Sequence, residues 1–215
     1  MDHGAMLGVW MQPKPEHEDD LNAWYEQEHL GDRLVNPGFL RARRYVSLTG
    51  DPKYFAMYDL TDLGALSSPE YSKARDNATP WTRRVVDNLQ TLIRNEYELL
   101  QMEGTSPPGG APYALIVQLE TDEEHDAELN RWYQEEHLAA LVGLDGVFGA
   151  RRYRATEGSP RYLMMYETAN REVIRNDEWQ KRTGTPWTLR MRPHFKNRRD
   201  NIVQLIRSVE ASQGK

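Results

Sequence analysis

His29 lies in the stretch W-Y-x-x-E-H-L formed by Trp24, Tyr25, Glu28, His29 and Leu30, and the stretch recurs as Trp132, Tyr133, Glu136, His137 and Leu138. Histidine is the natural proton carrier near neutral pH. Tyr25 stands four residues before His29 and Tyr133 four before His137, so on a helix each pair shares a face. A Tyr–His pair beside a cavity suits enolisation or proton shuttling. A second repeated set is Arg43, Tyr45, Tyr54 and Tyr58, matched by Arg151, Tyr153, Tyr162 and Tyr166. Arginine and tyrosine facing a cavity can grip an aromatic or carboxylate ligand. Trp10, matched by Gln118, is expected to face the same cavity. The same residues would also serve as packing, and duplication does not arbitrate, because a packing residue duplicates as readily.

These side chains need a scaffold, and the spacing supplies one. His137 follows His29 by 108 positions, and the same shift aligns the chain without gaps from about residue 7 to about residue 61. Leu7 and Val9 fall on Leu115 and Val117, His17 on His125, and Arg43-Arg44-Tyr45 on Arg151-Arg152-Tyr153. Thr79-Pro80-Trp81 recurs as Thr185-Pro186-Trp187. Such self-similarity marks a duplicated unit. The predicted units span residues 6–102 and 113–210, with a Pro- and Gly-rich linker at 103–112.

Each unit has the order βαββαβ, the ferredoxin-like pattern. Strands are expected at 6–11 and 113–119, 39–48 and 147–155, 54–60 and 161–167, and 91–99 and 202–209. Helices are expected at 20–34 and 124–141. Thr79 and Thr185 read as helix N-caps with proline at the first helical position. Period 2 sorts the faces of the strands. It assigns Leu7, Val9, Met11, Leu40, Ala42, Phe55 and Met57 to the helix side, with Arg43, Tyr45, Tyr54 and Tyr58 opposite. Arg44 falls awkwardly on the helix side and is expected to reach solvent at a strand end.

The bulk composition excludes several classes. A formal net charge of -6 argues against nucleic acid as the main partner. There are no cysteines, which removes disulfides and thiolate catalysis and is compatible with the cytoplasm. No apolar run approaches the roughly 20 residues of a membrane span. H-E-x-x-H, G-x-G-x-x-G and the P-loop pattern are absent, so neither a metal nor a nucleotide site has motif support.

The motif W-Y-x-x-E-H-L, followed by a glycine-bearing turn and a strand containing A-R-R-Y, resembles the EthD-like branch of the dimeric α+β barrel superfamily, here as two fused copies covering nearly the whole chain. The resemblance implies an α+β fold in which two ferredoxin-like units pair within the chain, with a homodimer as a further form. It implies His29 and His137 as the characteristic histidines. The wider superfamily includes isomerases, dehydrochlorinases, cofactor-free monooxygenases, cyclases and haem enzymes, so the reaction stays open.

The expectation is a cofactor-independent lyase or isomerase acting on a small cyclic or aromatic anionic metabolite. His29 and His137 act as acid or base with Tyr25 and Tyr133. Arg43 and Arg151 hold the anion. Tyr45, Tyr54, Tyr58, their counterparts and Trp10 shape the pocket. Haem held by one histidine, or a non-catalytic binding module, are the alternatives.

Overall fold

The computed structural model describes residues 3–212. The chain divides into unit 1, Met1–Glu98 with Ile206–Lys215, and unit 2, Leu99–Leu205. In unit 1, β1 (Ala5–Pro13) leads into a helical arm of three parts: α1 (Glu18–Trp24), a π-helical turn (Tyr25–His29) and α2 (Leu30–Leu34). Then come β2 (Phe39–Ser47), β3 (Tyr54–Leu60), α3 (Pro69–Asp76), α4 (Pro80–Asp87) and β4 (Leu89–Gly104). Unit 2 repeats the order: β5 (Tyr113–Glu120), α5 (Glu123–Trp132), a π-helical turn (Tyr133–His137), α6 (Leu138–Val142), β6 (Val147–Ala155), β7 (Tyr162–Thr168), α7 (Asp177–Arg182), α8 (Pro186–Met191) and β8 (Lys196–Glu210). The eight strands hydrogen-bond in the closed order β1-β3-β2-β8-β5-β7-β6-β4, an antiparallel α+β barrel. Among the described residues no helix is long and apolar enough to cross a membrane.

Local chemistry explains the elements. Thr79 and Thr185 cap α4 and α8 by accepting from the Thr82 and Thr188 backbone amides, with Pro80 and Pro186 opening each helix. Gly38 has φ +83°, and a Cβ there would lie 2.6 Å from the Ala65 Cβ, so only glycine fits between α2 and β2. Strands β4 and β8 run well past the expected 91–99 and 202–209. Helices α3 and α7 were not foreseen. The expected linker at 103–112 is packed rather than free. Ser106 bonds the Glu167 carboxylate and the Arg151 guanidinium, and Ala111 is buried.

The register corrects the face assignment. Leu7 lies opposite Tyr58, Val9 opposite Ala56 and Met11 opposite Tyr54. Ala42 also lies opposite Tyr58. Residues directly opposite share a face. Tyr54 and Tyr58 therefore point to the helices, and Phe55 and Met57 point away, the reverse of the expectation. Leu115 opposite Tyr166 and Leu119 opposite Tyr162 repeat this in unit 2. An irregularity between Phe39 and Arg41 shifts β2, so Phe39 takes the core place expected for Leu40. Arg43 pairs with Met57 and Tyr45 with Phe55, on the face away from the helices.

Candidate functional site

The π-helical turn builds the site. The Leu30 amide donates to the Tyr25 carbonyl, five residues back, and the Leu138 amide does the same to Tyr133. In a regular α-helix, side chains five apart diverge by about 140°. The wider turn brings Trp24 and His29 face to face, ring centroids 3.9 Å apart and 29° between planes. Trp132 and His137 stack at 4.1 Å and 30°. Tyr25 meets the His29 ring edge-on at 5.1 Å, and Tyr58 meets it at 6.4 Å from the sheet. Tyr133 and Tyr166 hold His137 in the same way at 5.3 and 6.3 Å. Turns of this kind recur at functional sites.

The acid–base character follows from that enclosure. Burial, then the positive charges of Arg33 and Arg44, holds the His29 imidazole well below its ordinary value. Burial, then Arg198 and Arg192, lowers His137 to about 3. Both rings are neutral at pH 7. The buried Nδ1 of His137 has no hydrogen-bond partner among the described residues. Burial pushes Tyr25 up to about 12 and Tyr58 well above the usual phenol range, so both remain proton donors. The Tyr25 hydroxyl donates to Met11 Sδ at 3.1 Å. The Tyr58 hydroxyl adjoins Tyr25 but makes no hydrogen bond of full geometry.

Glu28 turns away from His29. It accepts from Trp24 Nε1 at 3.1 Å, Thr79 Oγ1 at 2.7 Å and Thr82 Oγ1 at 3.1 Å, tying α4 to the turn. Arg44, expected to reach solvent, is 2% exposed. Its guanidinium lies between the Tyr25 and Tyr54 rings, 4.3 and 4.5 Å from their centroids, and donates to Asn22 Oδ1 at 2.6 Å. Arg152 repeats the clamp with Tyr133, Tyr162 and Asn130. These cations fix the face of the tyrosine that borders the histidine.

A cavity of about 270 Å³ lies between the helices and the sheet of unit 1, lined by Trp24, Tyr25, His29, Arg33, Tyr58 and Tyr71 among others. The corresponding cavity of unit 2 is about 110 Å³ and includes Trp132, Tyr133, His137, Tyr166 and Trp179. The predicted residues are therefore divided. His29, Tyr25 and Tyr58, with their unit 2 counterparts, border the cavities. Tyr54 and Tyr162 brace the arginine clamps. Trp10 and Tyr45 stack on Phe55 on the far face, at 4.7 and 6.0 Å, and Tyr153 lies opposite Leu163 on the equivalent face.

Arg43 and Arg151 do not serve as free anion clamps. Arg43 Nη2 bonds both oxygens of buried Asp59 at 2.7 and 2.9 Å, and Arg151 is paired with buried Glu167. Trp24, Arg33, Arg44 and Tyr71 belong to the site without being singled out by residue spacing. The doubled Arg-Arg-Tyr carried a signal for Arg44, since a charge on the helix-side parity in both copies needs a buried partner.

Among the described residues no three His, Cys, Asp or Glu side chains converge as metal ligands would. The larger cavity falls just short of the roughly 300–1,000 Å³ usual for drug-sized ligands, and His29 is stacked flat against Trp24.

No family model matches the sequence, and no curated protein matches it. Solved structures do resemble it. A candidate monooxygenase from Fusobacterium nucleatum is 10% identical with a TM-score of 0.68, covering 100% of this chain and 98% of that one. An anthrone oxidase-like protein is 10% identical at 0.65, covering 99% and 95%. A chlorite dismutase variant from Candidatus Nitrospira defluvii is 14% identical at 0.65, covering 96% and 93%. At these identities the likeness establishes the fold, the dimeric α+β barrel.

Proposed function

We propose that the unit 1 cavity is the reactive site of an enzyme that transfers a proton to or from a small cyclic or aromatic molecule. His29 takes the proton from an acidic carbon of the substrate. The Tyr58 hydroxyl donates a hydrogen bond to the adjoining carbonyl oxygen as negative charge gathers there. The observation that carries this reading is the neutral imidazole of His29 beside the Tyr58 ring in an apolar cavity.

The EthD-like motif supports it, because Trp24, Tyr25 and His29 are the motif residues that line the cavity. Proton removal is the step common to isomerisation, elimination and the oxidation of a carbanion. The last of these agrees with the names of the monooxygenase and anthrone oxidase-like structures.

The test is exchange of the acidic methylene protons of anthrone or 1-indanone for solvent deuterium, followed by NMR. Wild type should catalyse exchange, and His29→Gln should slow it by about 100-fold or more. Equal rates for wild type and His29→Gln would sink the assignment. A Soret band that appears with added haemin and disappears in His29→Gln would replace this reading with a haem protein.

A further inference from the structure

The two cavities share their histidine, tryptophan and tyrosines but not their charges. Arg33 of unit 1 aligns with Leu141 of unit 2. Opposite β1, Val9 faces Arg94, whereas the equivalent Val117 faces Asp200. In unit 2, Asp200 pairs with both Arg175 and Arg198, at 2.5 and 2.8 Å, and Trp179 stands where unit 1 has Tyr71. Arg175 and Arg198 are neutralised there by Asp200, and Arg192, the third arginine of that wall, donates to the Thr183 backbone carbonyl at 3.1 Å.

Unit 1 is different. Arg94 is paired with Glu96 at 2.7 Å, and Arg75 with Asp76 at 3.0 Å. Arg33 has no carboxylate within ion-pair distance among the described residues. Its Nη1 is buried and makes no hydrogen bond, and its guanidinium carbon lies 5.5 Å from the centre of the Tyr71 ring. A buried guanidinium N–H without a partner is costly unless something else supplies the acceptor. The remaining wall is apolar and aromatic, and Val86 and Leu92 leave an apolar lip exposed at its edge.

Resting on the cavity reading above, we propose that Arg33 anchors the anionic group of the unit 1 ligand, that this ligand is an aromatic monoanion such as a carboxylate, and that unit 2 lacks this specificity. One free cation matches one negative charge. The flat aromatic walls match a planar hydrocarbon. The Arg–carboxylate contact supplies the directional bond that the buried Nη1 lacks.

The experiment titrates the full chain with 2-naphthoate and with 2-naphthamide, which share a shape and differ in charge. Tryptophan fluorescence gives affinity and stoichiometry, and histidine NMR signals locate the ligand. Wild type should bind a single equivalent of naphthoate, about tenfold or more tighter than the amide. Arg33→Gln should bring naphthoate to the level of the amide while the amide changes by less than about twofold. Arg33→Lys should keep part of the preference, which separates lost charge from lost folding.

Amide and acid bound equally by wild type, an unchanged preference in Arg33→Gln, or two equivalent sites per chain would overturn the anchor while leaving the cavity reading intact. Binding of neither compound, with His29 signals unmoved, would sink both.

Discussion

Trp24 and His29 stack at 3.9 Å, yet the two tryptophans of the repeated motif are not held alike. Trp24 Nε1 donates to Glu28 Oε1 and to Thr82 Oγ1, both at 3.1 Å. Trp132 Nε1 is buried without a partner. Replacing either tryptophan by phenylalanine removes similar apolar surface, but only Trp24→Phe breaks a hydrogen bond. Trp24→Phe should therefore cost about 1 kcal/mol more than Trp132→Phe in urea unfolding. Equal losses would show that the Glu28 contact adds nothing.

Asp59 is the shared counter-ion of Arg41 and Arg43, with His3 Nε2 3.9 Å away. Arg43 is fully buried and Asp59 nearly so. Removing one partner of such a group leaves an uncompensated buried charge, which typically costs about 3–5 kcal/mol. Asp59→Asn should destabilise the protein on that scale, and Asp59→Leu combined with Arg43→Met should recover much of the loss. Naphthoate affinity of the folded fraction should change little, because Arg43 lies on the face away from the unit 1 cavity. A large loss of affinity would return Arg43 to the role that its sequence position suggested.

Much of the fold was legible in the sequence because it is written twice. The 108-residue shift aligned the first three strands and the turns between them, a 106-residue shift aligned the Thr-Pro-Trp helix starts, and the i, i+4 spacing brought Tyr25 to His29. The strand faces were less legible. β3 is buried at every position from Tyr54 to Leu60, so period 2 has no polar contrast there to sort by. Only its pairing with β1 decides which way Tyr58 points. The Trp24–His29 stack depends on a π-helical turn, and helical spacing alone does not announce one. Arg44 was misread because a charged residue on a core-facing parity reads as a strand-end exception, whereas two tyrosine faces and an asparagine are enough to hold it inside.

Glu28 gathers three donors from α1 and α4 on one carboxylate oxygen. Hydrogen bonds to an ionised acceptor contribute about 1.5–3 kcal/mol. Glu28→Ala should lower stability within that range and loosen α4, whose Thr82 and Val86 line the cavity. Glu136 accepts from Thr185 Oγ1 at 2.6 Å but receives nothing from Trp132, so Glu136→Ala should cost less. Hydrogen exchange over residues 80–87 reads the loosening directly. Unchanged protection there in Glu28→Ala would show that α4 is held by packing alone.

The two neutral histidines give the protein a particular acid sensitivity. Each has a folded value depressed below 6.5, His137 to about 3, chiefly by burial. Above pH 6.5 neither the folded nor the unfolded chain protonates them, and their full contribution to stability is present. As the pH falls below 6.5, the unfolded chain takes up protons that the folded chain refuses, so stability declines until the folded value is reached. The slope is about 1.4 kcal/mol per pH unit for each histidine. Carboxylates with lowered values, such as Glu18, act only nearer pH 4. Chemical unfolding between pH 6.5 and 5 therefore reads histidine ionisation ahead of the lowered carboxylates. Replacing His137 with phenylalanine should lower the wild-type slope, and replacing both histidines should lower it further. Because burial holds the folded His29 well below 6.5, proton-exchange activity should show no acid limb near 6.5. A limb at that value, or a wild-type stability that is flat from pH 6.5 to 5, would mean that the imidazoles are solvated and free to charge.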